Sequence, residues 1–85
     1  MTRYRVAAVD RALRILDRFE GGAERFTLAA LNARTGLCKS TILRLAGSLG
    51  AAGYLARWPD GAFALGPAAA RLGSRSERSK TARAQ

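Results

Sequence analysis

Apolar residues recur along this chain at two periods, and the change from one to the other divides it into elements. In VAAVDRALRILDRFEGG, Val9, Ala12, Leu13, Leu16 and Phe19 follow at steps of three and four, the spacing of one helix face. This predicts a first helix stopped by Gly21 and Gly22, with Arg11, Arg14 and Arg18 as a solvated basic stripe on its far side. In FTLAALNARTGL, Leu28, Leu31 and Thr35 share a side. Thr27 is placed to cap the start through its hydroxyl, and Gly36 suits the left-handed residue past the end. That is a second helix of about two turns.

A third helical pattern runs from Cys38 or Lys39 to about Ala52, with Ile42, Leu45, Ala46 and Leu49 as its apolar stripe. Its far side carries Ser40, Thr41, Arg44, Gly47, Ser48 and Ala51, a small, polar and basic face without bulk that would obstruct a groove. After Gly53 the pattern changes to two short β-prone runs, Tyr54 to Arg57 and Ala62 to Leu65, around the turn tripeptide Pro59, Asp60, Gly61. Tyr54, Phe63 and Leu65 are expected as hairpin core, with Trp58 covering the core's edge. Pro67 to Leu72 would add one or two helical turns. SRSERSKTARAQ has no apolar period and is rich in Ser and Arg, so residues 74–85 are expected to be a disordered basic tail.

Composition narrows the partners. At 85 residues and 48% hydrophobic content the chain suits one small domain, and a formal net charge of +9 favours a polyanion. Charges at Arg3, Arg5, Asp10, Arg11, Arg14, Asp17 and Arg18 interrupt the N-terminal twenty residues, so no secretory core or membrane span is expected and a cytoplasmic protein is. One cysteine cannot close an intramolecular disulfide, and the absence of histidine argues against a zinc site and against His-dependent catalysis. With no phosphate-cradling glycine loop and no carboxylate pair suitably spaced on a helix face, neither an enzyme nor a cofactor is expected.

The two middle helices, joined by a tight glycine turn with Leu31, Leu37, Ile42 and Leu45 at the apolar positions, match helix-turn-helix spacing. Gly36 takes the turn and Leu37 plugs the angle. The hairpin then makes a mainly α, winged helix-turn-helix of three helices and a two-stranded wing, spanning residues 6–73 behind a flexible basic arm at 1–5. Ser40 and Thr41, at a helix N-terminus, can hydrogen-bond phosphates or base edges. Arg44, one turn further in, has the fork that binds guanine O6 and N7, which makes it the expected specificity residue.

VDRALRILDRF, FTLAALNARTGLCKSTILRL and GYLARWPDGAFALG, in this order and spacing, resemble the N-terminal DNA-binding domain of IclR-type transcriptional regulators. The resemblance implies that the helix from Lys39 enters the major groove, with Lys39, Ser40, Thr41 and Arg44 as the main DNA contacts. Ser48 lies further along the same face, and Arg57 in the wing is positioned for the backbone or minor groove. It also implies a homodimer, formed partly through the first helix, on a palindromic double-stranded operator.

Three residues depart from the family pattern: Cys38 in place of proline, Asn32 in place of alanine, and Ala30 in place of the glutamate that would complete a capping box. Cys38 reads as the first helical residue, and Asn32 must turn outward or bond locally. Family members continue into a small-molecule effector domain of about 150 residues. None follows here, so no effector site is expected, and the chain reads as a fragment or, given a tail unlike a helical linker, a stand-alone protein. Two other readings stay open: a winged-helix interaction module that heterodimerises with a full-length relative, and a non-specific nucleic-acid binder.

Overall fold

The computed structural model describes residues 4–21 and 24–84, and of residues 79–84 only the backbone. Helices α1 (Ala7–Leu16), α2 (Leu28–Thr35) and α3 (Lys39–Ala51) are followed by strands β1 (Leu55–Arg57) and β2 (Phe63–Leu65) and by helix α4 (Pro67–Ala84). The strands pair antiparallel with Leu55 opposite Leu65, Ala56 opposite Ala64 and Arg57 opposite Phe63. Phe26, ahead of α2, bridges to Phe63 with N–H to O distances of 2.9 and 2.8 Å, and so adds a short third rung to the wing. The architecture is a winged helix-turn-helix with one more long helix than expected.

The core is one cluster. Ile15, Leu31 and Ile42, one from each of the first three helices, are fully enclosed, and Phe19, Phe26, Leu37, Leu55 and Phe63 close around them. Phe19 and Phe26 meet at 5.0 Å between ring centroids, tilted by 58°, a favourable aromatic geometry. Leu37 fills the corner between α2 and α3 as its spacing predicts.

Local chemistry explains the element ends. Thr27 Oγ1 accepts the Ala30 N–H at 3.1 Å and caps α2. Gly36 takes φ 75°, a conformation that costs a side-chain-bearing residue about 1 kcal/mol or more. The turn that follows is tied by side chains: Thr35 Oγ1 donates to the Leu31 carbonyl at 2.6 Å and accepts the Leu37 N–H at 3.1 Å. Asn32 bonds locally, its amide donating to the Leu37 carbonyl at 2.7 Å, so both main-chain groups of Leu37 are satisfied although its side chain is buried. In the wing, Gly61 takes φ 92° and Asp60 Oδ1 accepts the Ala62 N–H at 2.9 Å.

Several expectations need correction. Helix α1 ends at Leu16, because Arg18 and Phe19 donate to the carbonyls of Ile15 and Leu16 and tighten the chain into a turn that delivers Phe19 to the core. The buried residue of α1 is Ile15, while Val9 and Leu13 are about half exposed. This helix has apolar residues on two faces, and periodicity alone does not say which one is covered. Cys38 is the N-cap of α3 rather than its first helical residue, at φ −71° and ψ 156°.

Trp58 does not cover the core; it is 48% exposed, with the Arg25 guanidinium 4.5 Å above its ring. Residues 74–84 are helical, not disordered. Pro67 starts α4 at a position where its missing N–H costs nothing, and Ala, Arg, Glu and Lys sustain the helix by propensity without an apolar stripe. Residues 1–3 of the expected arm, and Gly22, lie outside the described residues; Arg5 holds Asp10 at 3.0 Å.

Candidate nucleic-acid interface

Helix α3 packs Ile42 and Ala46 inward and turns its other side to solvent. On that side Lys39, Ser40, Arg44, Gly47 and Ser48 are exposed and Thr41 is half-buried. The helix carries no acidic residue. Arg44 makes no hydrogen bond or ion pair with any described residue, so its guanidinium fork is free for an external acceptor. The free N–H groups of the first turn and the positive end of the helix dipole add to the local attraction for an anionic oxygen.

Gly47 shapes this face by what it omits. A Cβ placed there would have nothing within 4 Å, so packing does not require the glycine. In a helix interior glycine costs about 1 kcal/mol relative to alanine, and what it provides here is a bare surface. Beside it a cleft of about 240 Å³ separates α3 from β1, with Leu43, Gly47 and Gly50 on one wall and Ala56 and Arg57 on the other.

Arg57 therefore faces α3 across this cleft, but its side chain is partly engaged. Its Nε donates to the Gly61 carbonyl at 3.3 Å, and its guanidinium lies 4.9 Å from the Phe63 ring centroid. The wing gains a second cation, Arg25, because the Phe26 to Phe63 bridge holds the segment before α2 against the hairpin. Sequence reading missed Arg25, since nothing local in the chain announces a bridge between residues so far apart.

Cys38 is exposed, and its Sγ lies 3.1 Å from Thr41 Oγ1 and 3.5 Å from Ser40 Oγ. These hydroxyls favour the thiolate, Ser40 most, and lower its pKa from 9.0 to about 7. Leu43 is a further residue that the sequence reading passed over. It is 42% exposed, three residues after Ser40 and four before Gly47, so the face expected to be without bulk has one large apolar side chain at its flank.

The helix-turn-helix model of the IclR type matches residues 8–59, which hold α1 to β1 and the start of the wing turn. The chain belongs to the IclR helix-turn-helix family. Membership makes it a DNA-binding domain of the transcription-regulator kind. An IclR family regulator from Brucella abortus aligns over 86% of this chain with 31% identity and a TM-score of 0.77. An IclR regulator from Alicyclobacillus acidocaldarius aligns over 86% with 29% identity and a TM-score of 0.77. The Agobacterium tumefaciens repressor BlcR aligns over 81% with 35% identity and a TM-score of 0.67.

This IclR-type chain spans only 28%, 30% and 28% of those three chains. No curated protein matches it. Among the described residues no helix is long and apolar enough to cross a membrane, and no cluster of potential ligands could hold a metal ion.

Proposed function

We propose that this domain binds duplex DNA in a sequence-specific manner and regulates transcription in the cytoplasm, laying α3 in the major groove. Arg44 reads a guanine through O6 and N7, Lys39 and the first-turn N–H groups hold phosphate, and Ser40, Thr41 and Ser48 supply short polar contacts. Arg57, with Arg25, lies along the DNA backbone beside the wing. The observation that carries this reading is the solvent face of α3: free of acid, bare at Gly47, with an unpaired Arg44 one turn inside the helix.

The domain acts as a homodimer on a palindromic site. Val9, Leu13 and Leu16 of α1 and Leu72 of α4 line an open apolar groove of about 710 Å³ on the side of the domain that the core leaves uncovered. A second copy docked there would bury these side chains and set the half-site spacing by its two-fold symmetry. Residues 6–73 form the DNA-binding unit, and the exposed Arg75 and Arg78 of α4 beyond it add non-specific attraction.

Selection of bound duplexes from a random pool, followed by salt-titrated binding to the selected and scrambled sequences, tests the reading. A palindromic consensus, tighter binding to it at every salt, and loss of that preference in Arg44→Ala are expected. Equal affinity for both duplexes would leave a non-specific nucleic-acid binder. Retained preference in Arg44→Ala would move the specificity elsewhere.

A further inference from the structure

The face of α3 that carries Arg44 also carries one large apolar side chain. A single exposed leucine is ordinary on a protein surface. Leu43 differs in its surroundings. At about 100° per residue it stands about 60° from Ser40, about 40° from Gly47 and about 100° from Arg44 around the helix axis, on the flank of the solvent face that turns toward the wing. It also forms one lip of the cleft between α3 and β1, where Gly47 and Gly50 leave the helix surface bare. A groove wide enough to take in the solvent face of α3 from Arg44 to Gly47 also reaches Leu43 at its edge.

The chemistry of that approach restricts what Leu43 meets. The surface around it is cationic, on a chain of net charge +9, which suits a polyanion and not an apolar protein partner. Within the major groove the base edges are mostly donors and acceptors, and the apolar group that projects from them is the C5-methyl of thymine, where cytosine has only a C–H. A leucine pressed against a polar edge strands a donor or acceptor, whereas against the methyl both surfaces leave water together.

We propose that Leu43 is a specificity-determining residue that reads a thymine methyl beside the guanine bound by Arg44. This rests on the reading of α3 as the major-groove helix. Arg44 then supplies hydrogen-bond discrimination at one base pair and Leu43 apolar discrimination at a neighbouring one. In a two-fold symmetric site the same thymine occurs once in each half.

Replacing each thymine of the selected duplex singly by deoxyuridine removes only the methyl group and tests this directly. For the wild-type domain, one thymine per half-site should lose about fourfold in affinity on replacement, the value of one methyl taken out of water, and the other thymines should be silent. Leu43→Ala should bind the thymine and deoxyuridine duplexes alike at that position while keeping its preference for the guanine. Leu43→Met, which keeps apolar reach, should retain the penalty.

Unchanged thermal unfolding and low-salt binding to scrambled DNA would show that the variants fold. A flat deoxyuridine profile for the wild type overturns the inference, and so does a penalty that persists in Leu43→Ala. Failure of the underlying reading looks different: the wild-type domain would show no preference for the selected over the scrambled duplex, and the inference would fall with it.

Discussion

The Asn32 amide spans the turn of the motif and donates to the Leu37 carbonyl at 2.7 Å. Asn32 sits where the family pattern has a small residue, and here the longer side chain folds along its own turn instead of separating α2 from α3. With Thr35 on the Leu37 N–H, it fixes the corner that sets the direction of α3.

Removing this bond should loosen the corner. Asn32→Ala is expected to lose about 1 kcal/mol, the net value of one hydrogen bond. Asn32→Asp should lose more, because its carboxylate has no proton to donate and would face the Leu37 carbonyl. Urea unfolding at neutral pH measures both, and equal stability of the three proteins would show that the turn does not depend on the amide.

Gly47 separates stability from function. Gly47→Ala meets no neighbour and should stabilise α3 by up to about 1 kcal/mol, read as a raised Tm. Gly47→Glu should fold as well, yet abolish DNA binding by placing bulk and negative charge on the face that approaches the groove. DNA affinity undiminished in Gly47→Glu would remove that face from the interface.

The wing's attachment depends on Gly66. A Cβ there would overlap the Gly53 carbonyl, a main-chain group that is held in place by the Tyr54 to Gly66 and Gly53 to Ala68 hydrogen bonds. Gly66→Ala should therefore cost about 3 kcal/mol, at the upper end for an overpacked site. Loss of cooperative unfolding at a temperature where the wild type is folded would be the expected sign, and near-wild-type stability the contrary one.

Cys38 gives a pH signature. Its pKa is lowered to about 7 from an ordinary 9.0, chiefly by hydrogen bonds from Ser40 and Thr41. Carboxamidomethylation by iodoacetamide should therefore rise with a midpoint near pH 7, and Thr41→Val should move that midpoint upward. Because the folded value is the lower one, the native state holds fewer protons between the two values. This contribution to stability is present above the unfolded value and is lost as pH falls through the folded one. Cys38→Ser should remove that slope, and a slope unchanged by the substitution would exclude the thiol as its source.

Much of this protein is determined locally, and local features are what a sequence displays. The Thr27 cap, the left-handed Gly36, the Leu37 plug, the wing turn at Asp60 and Gly61, and the stripe of Ile42 and Ala46 each depend on a few neighbouring residues. The polar face of α3 was legible for the same reason: a helix has one period, and burying one side exposes the other.

Tertiary structure decided whatever needed two distant segments to meet. Periodicity put Val9 and Leu13 on an apolar face but could not say that Ile15 would be covered while they were left open. The Phe26 to Phe63 bridge, and with it the stacking of Arg25 on Trp58, joins residues with no local relation. The exposure of Leu43 at the mouth of a cleft depended on where β1 came to lie against α3. Hydrophobic burial is non-directional, so sequence shows which residues seek cover, and only packing shows which of them obtain it.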